Sequence, residues 1–240
     1  MASETDRLGA VVKHSPALPP SPDITLSGRW VKVVGMNAGH IEPLFAQISG
    51  DENTHLWDYM LTGPFANLAE FRAATEYLMN GDELVLYAII PVDEPTTSTG
   101  ADNVIGYAGY LSIKPSHCSV EVGHVLFSPK LQRTPHATEA MYLMAKYAIE
   151  ELGYRRYEWK CNTLNKRSWR AALRLGFTYE GIFRQHMVIK GRNRDTAWFA
   201  IIDKDWPGIK AAFDGWLEPS NFDEDGSQKR RLEDFRIQQN

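Results

Sequence analysis

The segment that most constrains this chain runs from Val120 to Leu143, VEVGHVLFSPKLQRTPHATEAMYL. Val120 and Val122 alternate with other residues and Val125-Leu126-Phe127 follow without a break, a pattern that predicts a strand. Ser128 to Arg133 is polar and basic and reads as a loop. Thr134 is a good helix cap and Pro135 suits a first helical position, so a helix is expected from there. A strand that delivers the chain to uncapped helix amides makes an anion site, because those N–H groups and the helix dipole both favour negative charge. Arg133 adds a planar fork suited to phosphate. The pattern is a phosphate cradle, and the physics alone does not say whose phosphate it takes.

The rest of the chain fits an α+β domain around this unit. With 240 residues and 43% hydrophobic content, one large domain is expected over residues 24–217, after a flexible arm over 1–23 and before a polar tail over 218–240. That tail is expected to fray. Leu26 to Met36 reads as a first strand, His40 to Gln47 and Leu68 to Met79 as helices, and Glu83 to Pro91 and Val104 to Ile113 as strands. The helix from Thr134 should stop at Gly153, with Arg155 to Cys161 a strand and Asn165 to Leu175 a helix stopped by Gly176. Phe177 to Lys190 and Asp195 to Asp203 are expected to pair across Gly191–Arg194, ahead of a helix over Pro207 to Leu217. This order predicts a mixed, partly antiparallel sheet flanked by helices.

Net charge of −4 and a pI near 6.0 argue against a general binder of nucleic acid or anionic membrane. No window is long enough to span a bilayer. The two cysteines, Cys118 and Cys161, lack metal-ligand spacing and favour a reducing compartment, with the cytoplasm the default address. No metal is expected. Pairing of two copies through the terminal strands or helix is compatible with the sequence, but nothing specific marks it.

Gln132-Arg133-Thr134-Pro135-His136-Ala137 resembles the Q/R-x-x-G-x-G/A pyrophosphate loop of the GCN5-related N-acetyltransferases. Asn165-Lys166-Arg167-Ser168, closing with Leu175-Gly176-Phe177, is similar to the second half of that fold in its ribosomal-protein-acetylating (RimJ/RimL-like) branch. The resemblance covers roughly Leu26 to Pro207. It implies a sheet with a splayed strand pair, acetyl-CoA as co-substrate, and direct acetyl transfer to an amine. The cofactor-binding set it implies is Leu126, Phe127 and Ser128, then Gln132, Arg133, Thr134, Pro135, His136, Ala137 and Thr138. Asn165 would bind the pantetheine arm, and Ser168 would approach the leaving sulfur. A solvent-exposed helix start is the alternative for Asn165 and Ser168. Pro135 stands where the family usually has Gly, and its missing N–H removes one phosphate donor.

The acceptor amine must lose a proton, so a base within hydrogen-bond reach is needed. A tyrosine acid that some relatives place seven positions after the Asn is Ala172 here, and Met187 stands where the ribosomal branch has a glutamate. That leaves Glu121, His124 and His186 as candidates, with Ser168 for the thiolate. Alternation puts Glu121 and His124 on opposite faces unless a bulge intervenes. A core histidine without a catalytic role, and deprotonation relayed by water, stay open. Cys161 is a poor nucleophile candidate, since nothing marks it as a low-pKa thiolate.

For the acceptor, Trp57, Asp58, Tyr59 and Phe65 fall where the family forms the pocket lip. They could hold a cationic amine by cation–π contact and charge pairing, or Trp57 and Phe65 could pack onto the sheet. The basic run Lys190–Asp195 could bind an acidic substrate or form a solvated hairpin tip. The resulting expectation is an acetyl-CoA-dependent N-acetyltransferase acting on a small-molecule amine or amino acid. A protein N-terminus as acceptor, or a non-catalytic acyl-CoA-binding module, are the alternatives.

Overall fold

The computed structural model describes residues 8–12, 15–98 and 100–236. Eight strands form one sheet: β1 (Thr25–Ser27), β2 (Val31–Gly35), β3 (Leu84–Pro91), β4 (Gly106–Lys114), β5 (Ser119–Phe127), β6 (Arg156–Asn162), β7 (Thr178–Ile189) and β8 (Arg192–Ile202). Their order is β1-β2-β3-β4-β5-β6-β8-β7. Every neighbouring pair is antiparallel except β5–β6. A parallel pair needs a crossover, and the helix after β5 supplies it. The helices are α1 (Ala38–Ile48), α2 (Leu68–Met79), α3 (Pro135–Lys146), α4 (Lys166–Arg174) and α5 (Trp206–Trp216).

Side-chain alternation gives the sheet two different faces. Val120 and Val122 of β5, Tyr157 and Trp159 of β6, and Phe199 of β8 share one core with Met141 and Met144 of α3 and Phe213 of α5. On the opposite face, Leu84, Leu86, Ile90 and Leu126 pack under Ile41, Leu44 and Phe71 of α1 and α2. That second core stops at β5. Beyond it the same face of β6 and β8 carries Glu158, Lys160 and Trp198 instead, with Lys160 over the Trp198 ring at 4.0 Å.

Two sequence expectations are revised. The strand expected over Leu26–Met36 turns back at Gly28–Trp30 to make β1 and β2. Glu139 of α3, buried, causes this: its carboxylate accepts the amides of Arg29 (2.8 Å), Trp30 (2.7 Å) and Val31 (2.9 Å). A Cβ at Gly28 would lie 2.3 Å from that carboxylate. The hairpin tip also shifts. Lys190 and Gly191 both take positive φ (48° and 73°), the twist of a tight two-residue turn. Arg192 to Arg194 therefore belong to β8, not to a loop.

Both chain ends are better anchored than expected. Within the supposed arm, Ala17 is buried, the Ala17 and Leu18 amides donate to Pro115 O and Leu152 O, and Ser21 O accepts from Tyr87. Residues 1–7 and 13–14 of that arm lie outside the described residues. At the other end Leu232 is buried, Phe222 meets Trp30 and Trp216 edge-on, and Arg236 donates to the last carbonyls of α4, Leu173 O and Arg174 O. This stretch docks instead of fraying; residues 237–240 lie outside the described residues.

Candidate active site

A gap in the sheet organises the site. β5 and β6 are in register only from Ser119↔Arg156 to Val122↔Trp159. On its other side β5 pairs Gly123 with Gly109 and then Leu126 with Tyr107, three steps against two. This is a bulge, with His124 inside it at φ +47°. A bulge bends its strand, and here β5 turns away while β6 continues beside β8 to Asn162↔Thr196. The splayed pair that the sequence resemblance implied is present.

Which amides face the gap follows from the ladder. Ser128 N donates to Ile105 O at 3.0 Å, so Ile105–Ser128 is a hydrogen-bonded pair. Bonded and non-bonded pairs alternate, so Leu126 also points to β4 and Phe127 points into the gap. The Phe127 carbonyl accepts from Gln132 Nε2 at 2.8 Å. Of the three amides expected there, only that of Phe127 is available; Leu126 and Ser128 are engaged with β4. The Ser128 hydroxyl is buried with no partner among the described residues.

The loop and helix start expected after β5 are present. Thr134 caps α3, its Oγ1 accepting from Ala137 N at 3.3 Å and donating to Leu131 O at 2.6 Å. Pro135 occupies the first turn. The amides of Arg133, Thr134 and His136 donate to no protein group among the described residues, as expected for helix-start donors. Arg133 is exposed and sits at φ +64°. His136 Nε2 lies 3.4 Å from Asp93 and Lys130 Nζ 3.8 Å from Glu94, two exposed carboxylates of the β3–β4 loop. Thr138 does not belong to the cradle surface: it is buried and its Oγ1 accepts from Arg174 at 3.0 Å.

Across the gap, Asn165 caps α4 by accepting from Ser168 N at 3.0 Å, which leaves its amide nitrogen without a protein partner among the described residues. Ser168 Oγ accepts from Trp159 Nε1 at 3.0 Å, and its hydroxyl also lies within hydrogen-bond reach of the Cys161 thiol. Cys161 lies beside it. Burial raises that thiol above its ordinary pKa despite the Ser168 hydroxyl and the Arg194 and Lys166 charges, so it remains a thiol.

The three base candidates separate clearly. Glu121 is buried, and its Oε2 accepts from Lys160 Nζ at 2.6 Å and Ser112 Oγ at 3.0 Å. Lys160 also meets Glu158 at 2.9 Å, so Glu121 is one edge of a charge network. His186 is exposed, with Nδ1 3.0 Å from Thr196 Oγ1 and its ring edge-on to Phe183. His124 is half-buried in the bulge and has no protein hydrogen bond among the described residues. Burial, then the Arg194 charge, push its pKa below the usual histidine value, which keeps the ring neutral.

The lip is part core and part cleft. Trp57 is 3% exposed and meets Phe65 and Phe71 edge-on at 5.1 and 6.2 Å, while Phe65 also lies 5.6 Å from Phe71. Trp57 and Phe65 therefore pack with Phe71, and Trp57 also lines the cleft. Asp58 and Tyr59 do border an open cleft, together with Leu164, Lys190, Arg192 and Arg194. Tyr59 donates to Leu164 O at 3.1 Å and Lys190 to Trp57 O at 2.8 Å, strapping the lip to the far wall. Sequence reasoning undervalued Arg194, whose signal was the Lys190-Gly191 turn that places it on a strand. Among the described residues no three His, Cys, Asp or Glu side chains gather as a metal site, and no helix is long and apolar enough to cross a membrane.

This geometry can be set beside known proteins. A family model described as the acetyltransferase (GNAT) domain matches residues 32–178. A crystal structure of a GCN5-related N-acetyltransferase from Brucella melitensis matches with a TM-score of 0.87 at 39% identity, over 94% of this chain and 99% of that one. A probable GNAT-family acetyltransferase from Chromobacterium violaceum gives 0.76 at 35% identity, over 86% and 98%. The uncharacterized N-acetyltransferase YoaA of Bacillus subtilis is 30% identical over 99 residues, which is 41% of this chain. The match spans 55% of that curated relative, about half its length.

Proposed function

The chain belongs to the acetyltransferase (GNAT) domain family, and from that premise we propose that it moves the acetyl group of acetyl-CoA to the primary amine of a small molecule or amino acid. The observation that carries this reading is the unpaired donor row of Arg133, Thr134 and His136, continuous with a gap that the Phe127 amide and His124 both border. For a diphosphate-bearing thioester the fit is good. The helix-start amides and Arg133 suit the diphosphate, and the Phe127 and Asn165 amide groups suit an amide-bearing arm threaded through the gap. When bound, the thioester supplies the activated acetyl group.

The protein's own groups then divide the proton work. His124, neutral and unpartnered, accepts a proton from the acceptor amine at a ring nitrogen. Ser168, held by the Trp159 indole, donates from its hydroxyl on the other side of the gap. Glu121 holds Lys160 in place and is no base while doing so. A small acceptor is favoured over a protein N-terminus by the straps from Tyr59 and Lys190, which bound the cleft.

The test is release of free thiol from acetyl-CoA in the presence of an amine library. We expect turnover with at least one small amine and a clear loss in Asn165→Ala. Tight CoA binding with no thiol release for any amine would reject catalysis and leave a binding module.

A further inference from the structure

The acceptor cleft, about 730 Å³, lies between the Asp58–Pro64 lip, the end of β6 and the β7–β8 hairpin. Its charge is one-sided: Lys190, Arg192 and Arg194 line it against a single carboxylate, Asp58. Two of the cations are explained. Lys190 is tied to Trp57 O, and Arg192 is exposed to water. Arg194 is not. It is half-buried, and its Nε donates to Thr196 Oγ1 at 3.1 Å, where Thr196 is itself fully buried. That bond engages Nε of the guanidinium, and no hydrogen bond from either terminal nitrogen is made to the described residues. Among the described residues no carboxylate oxygen comes within 4.0 Å of it. Glu121 is the acid it feels most, yet that Oε2 is occupied by Lys160 and Ser112.

Strand alternation decides which ligand the fork can meet. Ala197 and Phe199 of β8 face α3 and α5, so Arg194, Thr196 and Trp198 face the open side. The fork is thereby kept for the acceptor, with the sheet between it and the helix whose N-terminus forms the cradle. His124 sits in the β5 bulge at the edge of the gap, near enough for the charge of Arg194 to act on its ring.

Resting on the acetyl-transfer reading above, we propose that the acceptor bears a carboxylate beside its amine, and that Arg194 is the residue that selects it. A half-buried fork without a protein anion is the arrangement that a planar carboxylate completes with two parallel, charge-assisted hydrogen bonds. The same excess of positive charge disfavours polycationic amines. The acceptor class is thus α-amino acids or close relatives, the carboxylate at Arg194 and the amine toward His124.

Paired substrates test this directly: phenylalanine against phenethylamine, leucine against isoamylamine, and other such pairs, with acetyl-CoA and thiol release as readout. The expected kcat/KM favours the amino acid by about 100-fold in the pair best accepted, about 2.7 kcal/mol. Arg194→Gln should collapse that ratio toward unity by raising the amino acid KM, with Arg194→Lys intermediate and CoA affinity unchanged in both. A ratio that survives Arg194→Gln, or a wild-type preference for the amine, overturns the proposal. Binding of N-acetyl amino acids against N-acetyl amines to the CoA complex gives a readout independent of turnover. If no amine is acetylated, the proposed function fails; an Arg194-dependent preference of at least 10-fold for the acid would still support the anion site, and equal affinities would reject it.

Discussion

The cradle and the cleft proposed for the acceptor sit on either side of the same gap and are built in opposite ways. The cradle is continuous in sequence, Phe127 to His136, and its donors are backbone amides presented by one strand end and one helix start. The cleft is assembled from segments around Asp58, Asn162 and Arg194, and its chemistry is carried by side chains. Sequence changes in the cradle leave its donors in place as long as the backbone is held, whereas in the cleft each side chain is its own function. A protein built this way can keep its acetyl donor while its acceptor changes. The difference also ranks the effects of substitution.

The largest effect is expected where the cradle's backbone is held from afar. Glu139 sits in α3 one turn past the cradle and closes the β1–β2 turn through three short bonds to amides. Glu139→Ala leaves three donors without their acceptor, the Val31 amide buried and those of Arg29 and Trp30 partly so, at about 1–3 kcal/mol for each group that water cannot reach. We expect a loss of about 3–5 kcal/mol in chemical denaturation, with CoA affinity falling alongside. A change below about 1 kcal/mol would show that the cradle does not depend on this remote brace.

His124 comes next, and it sharpens the comparison from the cleft side. His124→Gln keeps a polar group of similar size without a titrating base, and should lower kcat about 100-fold or more. CoA affinity should hardly move. The pH dependence carries the sign: the imidazole must be neutral to accept a proton, and its pKa lies below the usual histidine value. Wild-type activity should therefore rise as pH increases through a point below about 6.5 and stay level above it. That acidic limb should vanish in the variant. An unchanged limb would move the base role elsewhere or to water.

How much of this was legible in sequence follows the same divide. The cradle was legible because strand, loop, cap and Pro135 are consecutive, and local rules govern each. Helix α2 falls at the expected Leu68–Met79 for the same reason, its apolar stripe being a local signal. The β1–β2 turn was hidden because its cause, Glu139, is more than a hundred residues away. Trp57 and Phe65 were ambiguous since an aromatic ring at a pocket lip and one in a core have the same local pattern; both pack on Phe71, and Trp57 also lines the cleft. For Arg194 an acidic-substrate site and a solvated hairpin tip stayed open until the two-residue turn at Lys190-Gly191 put it on β8. Its unpaired fork depends on what other strands fail to supply, and no local pattern records that.

Ser168 lies between the two regions and should give an intermediate effect. Its hydroxyl is oriented by Trp159 Nε1 and is not needed to hold α4, whose cap is Asn165. Ser168→Ala removes the donor but keeps the helix, so kcat should fall about 10-fold, a loss near 1.4 kcal/mol. Acceptor discrimination between a carboxylate-bearing amine and its neutral partner should be unchanged. A shift in that discrimination would break the assignment of Ser168 to the donor side.

The smallest effect is expected at the most conspicuous cation. Arg133 is exposed at the mouth of the cradle, and its backbone is held at φ +64°, a left-handed conformation costing roughly 1 kcal/mol for a residue with a Cβ. Arg133→Gly removes the guanidinium but relaxes the backbone and keeps every amide of the cradle. If backbone donors dominate, CoA affinity falls only about 3- to 10-fold, consistent with an exposed ion pair of about 1 kcal/mol or less. Stability should stay level or rise, since the loss of left-handed strain offsets the added freedom of glycine in the unfolded chain. Isothermal titration at two salt concentrations separates the contributions. The variant should lose part of the salt dependence and keep most of the affinity, because helix-start amides act at hydrogen-bond range. An affinity loss of 100-fold or more would mean that the cradle, like the cleft, works mainly through a side chain.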